Sequence, residues 1–145
     1  GYNISVIFQN HGEFKMKLYE YIFAFLTGSL LYSLTEILYR GYTHWSMTIL
    51  GGICLAGIYY IRFRFAEFNF FLRLWFEALW ITTAEFLCGL AVNVILKWNV
   101  WDYSGIWGNF FGQTCILYSI MWYFICIPSD LICGRIYKRF NFKMT

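Results

Sequence analysis

The sequence predicts an all-α integral membrane protein, a four-helix bundle with an irregular, re-entrant loop between its third and fourth helices. Three observations predict it. Sixty per cent of the 145 residues are hydrophobic and only 13% are charged, about half the charged share of a soluble domain. A domain of this size leaves much of its surface exposed, so that much apolar material needs lipid around it. The mean hydropathy of +0.54 is concentrated in four long apolar runs. Those runs lack period-two alternation and are too long for barrel strands. Helices pair every backbone N–H and C=O within the segment, which lipid demands.

Residues 1–15, GYNISVIFQNHGEFK, are polar and mixed, without the charged-then-apolar plan of a signal peptide. Met16-Lys17-Leu18 follows as a natural start, so this stretch is expected to be an added or disordered leader outside the fold. Residues 16–145 form the transmembrane domain. Its first helix is predicted over 18–39 and its second over 45–61, joined by Arg40-Gly41-Tyr42-Thr43-His44. An aromatic-basic link, IRFRFAEFNFF, leads to a third helix over 74–96. A fourth is predicted over 110–127, where Pro128 marks its end or a kink. The small residues Ala24/Gly28 and Gly52/Ala56 would let the first two helices approach closely.

Basic residues set the orientation, because Lys and Arg in short loops stay on the cytoplasmic side. Lys15, Lys17, Arg62, Arg64, Arg73, Arg135, Lys138, Arg139 and Lys143 fall on one side, and only Arg40 and Lys97 on the other. Both termini are therefore expected in the cytoplasm, with a basic cytoplasmic tail. No basic run resembles a nucleic-acid patch. The five cysteines stand singly, without CxxC pairs or metal-ligand spacing, so neither a metal nor a cofactor is expected.

An ionisable group inside the bilayer costs at least a few kcal/mol, so each calls for a partner or a function. Glu85 sits near the middle of the third span, with Glu77 eight residues before it and Asn93 eight after. Two readings stand: a proton- or cation-responsive carboxylate, or a hydrogen bond holding a neighbouring helix. Glu36 and Arg40 are spaced to meet on one helix face. His44 follows in the tight outer turn. Glu20 and Asp130 are placed at the cytoplasmic interface with no chemistry attached. The segment KWNVWDYSGIWGNFFGQ combines Asn99, Asp102, Ser104, Asn109 and Gln113 with three tryptophans and three glycines. Either it dips between the helices, or its tryptophans form a headgroup-level belt. The candidate substrate or ion site comprises Glu36, Arg40, His44, Glu85, Asn93, Asp102, Ser104, Asn109 and Gln113, gathered into an outward-facing polar cavity.

Three stretches resemble a known family: GSLLYSLTEILYRGYTHWSMTILGGIC (28–54), AEFLCGLAVNVIL (84–96) and VWDYSGIWGNFFGQTCILYSIMWY (100–123). The family is that of the type IV ABC-transporter permeases, also called CmpB-like. The last stretch is the most specific, with Trp101, Tyr103, Ser104, Asn109, Gly112 and Gln113 at the family's characteristic positions. The family usually places Pro in the spacer where this chain has Trp107. The resemblance implies a small multi-pass protein of the bacterial plasma membrane with a transport role.

A permease or permease-like transport component is the favoured function. The sequence carries no GxxxxGK[ST] phosphate loop, so ATP-driven transport would need a separate ATPase subunit. Four helices leave little room for a gated path, so a homo-oligomer is expected within the lipid bilayer. A non-transporting scaffold or sensor is the alternative, and an oligomeric ion channel ranks below it. An enzyme is not expected: His44 is the only histidine beyond residue 15, and no cysteine lies near it in sequence.

Overall fold

The described residues of the computed structural model, 4–141 for the backbone and 17–141 for side chains, form four helices joined in antiparallel order. They are α1 (Ile4–Arg40), α2 (Trp45–Arg64), α3 (Phe70–Gly89) and α4 (Ile116–Asn141). Each contains a stretch long and apolar enough to cross a membrane. Even α2, with 20 residues, measures about 30 Å at 1.5 Å per residue, the thickness of a hydrocarbon core. The turn after α1 and the segment before α4 share one end of the bundle, here the loop end. The α2–α3 link and the end of α4 share the other, the terminal end.

Helix boundaries depart from the expected ones for local reasons. α1 begins at Ile4 and runs without a break through the stretch read as a leader, whose first three residues lie outside the described ones. α2 starts at Trp45 because His44 caps it, its Nδ1 accepting from the Ser46 N–H. α3 starts at Phe70 rather than residue 74 because Asn69 is its N-cap, with Oδ1 accepting from the Leu72 N–H at 2.8 Å. α3 then widens into a π-helical turn over Leu90–Ile95, closed by the Leu96 N–H on the Ala91 carbonyl. Such a turn shifts the helical phase and often marks a functional position. α4 starts at Ile116, after a short antiparallel ladder of β1 (Asn109–Phe110) with β2 (Thr114–Cys115). It does not end at residue 127; it continues through Pro128 to Asn141.

Close approach of α1 and α2 rests on glycine. A Cβ on Gly28 would strike the Gly51 carbonyl, and one on Gly51 would strike Tyr32 and the Gly28 carbonyl. Ala24 is fully buried beside this crossing. Gly51 therefore serves as well as the expected Gly52, which faces Phe25 and Ser29. The core is completed by Leu50, Leu55 and Ile58 of α2, Leu74, Ala78 and Ile81 of α3, and Cys126, Cys133 and Ile136 of α4. Outward lie large apolar side chains such as Leu26, Leu30, Leu38, Trp75, Leu79, Ile120 and Phe124. In a bilayer this exterior is solvated by lipid rather than water.

Candidate functional site

The buried face of α3 carries Leu74, Glu77, Ala78, Ile81, Glu85 and Gly89, spaced three or four residues apart. One helix face thus places two carboxyl side chains in the core. Glu85 is 2% exposed. Its Oε1 accepts from the Tyr103 hydroxyl at 3.2 Å, and its Oε2 from Thr114 Oγ1 at 2.9 Å and Trp122 Nε1 at 3.2 Å. Among the described residues no Lys or Arg pairs with it. Three neutral donors from the loop and α4 therefore hold a single acidic group of α3.

The loop reaches Glu85 because it folds inward between α3 and α4. Gly89 gives it room, since a Cβ there would meet Gln113 and Trp101. Trp101 is 7% exposed and donates its indole N–H to the Gln113 carbonyl at 2.9 Å. Asn93, turned by the π-helical segment, donates to Gln113 Oε1 at 2.9 Å and accepts from the Val100 N–H at 2.7 Å. Trp98 and Trp107 stay exposed. Trp101 thus dips inward, while the other two are on the outside of the fold. Burial, with Glu85 beside it, raises the Tyr103 phenol above its ordinary value.

The nine expected site residues fall into separate groups. Glu85, Asn93 and Gln113 share the loop-capped centre. Asp102, Ser104 and Asn109 build the exposed turn above it: Asp102 accepts from the Ser104 N–H at 2.8 Å and hydroxyl at 2.9 Å, and Asn109 Oδ1 accepts from the Gly112 N–H. Those two Ser104 donors hold the Asp102 carboxyl below the usual range. Glu36 and Arg40 form the expected ion pair, at 2.8 and 2.9 Å to the two oxygens, with Thr43 donating to the same carboxyl. His44 bonds Ser46 at 2.7 Å and packs against Trp45 and Trp98. A cleft of about 570 Å³ opens between α3 and α4, lined by Thr82, Thr83, Phe86, Asn109, Thr114 and Ser119 among others. Of the nine, Asn109 lines it, while Thr114 connects it to Glu85.

Sequence reasoning missed a second polar centre at the terminal end. Asp130, 1% exposed, accepts from Arg62 Nη1 and from Arg73 Nε at 3.1 Å and Nη2 at 3.2 Å. Glu77 is fully buried beside them. Glu20, 5% exposed, accepts from the Tyr59 hydroxyl and from Asn141 Nδ2 at 3.1 Å. Glu20 and Asp130, to which the sequence attached no chemistry, are thus both buried and bonded at this end. The predicted fourth helix, 110–127 with Pro128 as its end or a kink, leaves Asp130 beyond its span. With the helix continuous, Cys126, Asp130 and Cys133 share one buried face.

A family model described as Putative ABC-transporter type IV matches residues 32–143. The chain belongs to this family. The type IV match covers all nine expected site residues together with Arg62, Arg73, Glu77 and Asp130, while Glu20 lies before it. No curated protein and no solved structure matches the chain.

Proposed function

We propose that this protein is the membrane-embedded permease component of an ABC-type transport system, with its substrate or ion site at Glu85 under the loop. The observation that carries this reading is a buried carboxyl group with three neutral donors and, among the described residues, no paired cation. Such a group is costly to keep in a membrane for packing alone. A cation or a protonatable solute fits its chemistry, because the incoming charge would exchange for the donors of Tyr103, Thr114 and Trp122. The cleft between α3 and α4 supplies a route, since Thr114 both lines the cleft and bonds Glu85. Asn109 of the exposed loop turn lines this cleft, whereas the Glu36–Arg40 pair and His44 belong to the α1–α2 turn.

The bias of nine basic residues against two supports cytoplasmic termini in a bacterial plasma membrane; Lys15 and Lys143 of that count lie outside the residues whose side chains are described. A separate ATPase subunit would dock at the terminal end, and a homo-oligomer would complete the path through so small a bundle. The protein is not proposed to be an enzyme.

A scaffold or sensor is the second reading, favoured by one observation: every hydrogen bond of Glu85 joins α3 to the loop or α4. Uptake by proteoliposomes of a panel of small cations under an imposed gradient separates the two. Wild type is expected to take up a member of the panel, and Glu85→Gln to lose that uptake with expression and oligomeric state intact. Loss of folding in step with loss of uptake would favour the scaffold.

A further inference from the structure

Glu77 is the one acidic side chain among the described residues whose two carboxyl oxygens are both buried without a hydrogen-bond partner. Its side chain is 0% exposed. Of the nearby guanidinium nitrogens, Arg62 Nη1 and Arg73 Nε and Nη2 bond Asp130 instead. Arg73 Nε lies 3.8 Å from Glu77 Oε1, which is beyond hydrogen-bond length. An ionised carboxylate in that position would be desolvated and almost without donors, a costly arrangement.

We propose that Glu77 and Asp130 form a proton-binding site at the terminal end of the bundle, in which Glu77 holds the proton and donates it to Asp130. The groups facing this pair are Arg62 from α2, Arg73 from α3, and Cys126 and Cys133 from α4. The acid of α1, Glu20, is turned instead to Tyr59 and Asn141. With the proton bound, two guanidinium groups face one carboxylate. The surplus positive charge rests on Arg62, whose side chain is 25% exposed and open to hydration. Arg73, 11% exposed, keeps the carboxylate of Asp130.

The proton comes from water at the terminal end and adds to a Glu77 carboxylate oxygen. The resulting O–H supplies the donor that neither oxygen now has. Release returns the proton to water and leaves two carboxylates for two guanidinium groups, so Arg73 swings from Asp130 toward Glu77. Asp130 ties α4 to α2 and α3 by ion pairs, so proton occupancy changes how firmly this end of α4 is held. Trp122, two turns away on the same helix, donates to Glu85. The proton site and the loop-capped centre therefore share both α3 and α4.

Infrared absorption of the full chain in detergent tests this in the region of the carboxylic-acid C=O stretch. At neutral pH a band that shifts in D2O is expected, lost in Glu77→Gln and retained in Glu85→Gln. Absence of the band, or its survival in Glu77→Gln, would overturn the proposal. Should Glu77→Gln fail to fold, 13C-glutamate incorporated into Glu85→Gln must move the band while 13C-aspartate must not. A band that moves with labelled aspartate, or with neither label, overturns it equally.

Discussion

Replacing Asp130 by Asn removes the charge on which two arginines from two other helices converge. Breaking a buried ion pair by deleting one partner costs about 3–5 kcal/mol, because the survivor is left charged and desolvated. Arg73 is 11% exposed and is stranded most severely, whereas Arg62 at 25% recovers part of its hydration. Glu77 also stands ready to ionise and accept Arg73 from 3.8 Å away. Both effects set the loss for Asp130→Asn at the lower end, about 3 kcal/mol, or roughly a hundredfold in the folded-to-unfolded ratio. Glu77→Gln alone keeps a donor for Asp130 and should cost less than about 1 kcal/mol. The double variant leaves Arg73 no acid at all and should cost about 5 kcal/mol, more than the two single losses together. Equilibrium unfolding in mixed SDS micelles, followed by far-UV circular dichroism, measures each value. An unchanged midpoint for Asp130→Asn, or strict additivity in the double variant, would refute the reasoning.

At the α1–α2 crossing, Gly51→Ala should cost about 1–3 kcal/mol in the same assay, because its Cβ meets Tyr32 and the Gly28 carbonyl, while Gly105→Ala, with nothing nearby, should be neutral. Thr114→Val removes a donor from Glu85 and should lower stability by about 1–2 kcal/mol, with a change in Trp122 emission that an unchanged spectrum would deny. Asp102 titrates below the unfolded value in the native loop, so its bonds to Ser104 support the loop fully above about pH 4 and are lost as pH falls through the lowered value. Carboxyl 13C NMR should give a native midpoint below that of the unfolded chain, and an equal or higher one contradicts the turn geometry.

The hydrophobic runs disclosed the helices because lipid imposes so strict a demand on length and apolarity. What they concealed was the ends. Asn69 as a cap and the helix continuing past Pro128 depend on a single side chain and on neighbours that stabilise a broken ladder, and neither leaves a periodic signal. With Pro128 legible only as an end or a kink, the sequence does not place Asp130 on the buried face of α4, and so does not disclose it as the partner of Arg62 and Arg73. Glu85 was legible as an isolated charge in an apolar run. Its donors were not, because Tyr103, Thr114 and Trp122 lie 18 to 37 residues away along the chain. The spacing of Glu36 and Arg40 did disclose their pair, since both sit on one helix face four residues apart. A π-helical turn, which brings Asn93 to Gln113, has no comparable sequence pattern.

Helices that cross a bilayer put the loop end and the terminal end on opposite sides of it. Labelling of intact cells with a membrane-impermeant maleimide tests that arrangement, using Asp102→Cys in the exposed loop turn and Glu67→Cys in the exposed α2–α3 link. Against the parent protein, whose cysteines are buried or half-buried, the Asp102 variant should react from outside and the Glu67 variant only after permeabilisation. Reaction of both from the same side of intact cells would contradict a chain that spans the membrane in this way, and reaction at Glu67→Cys alone would invert its orientation.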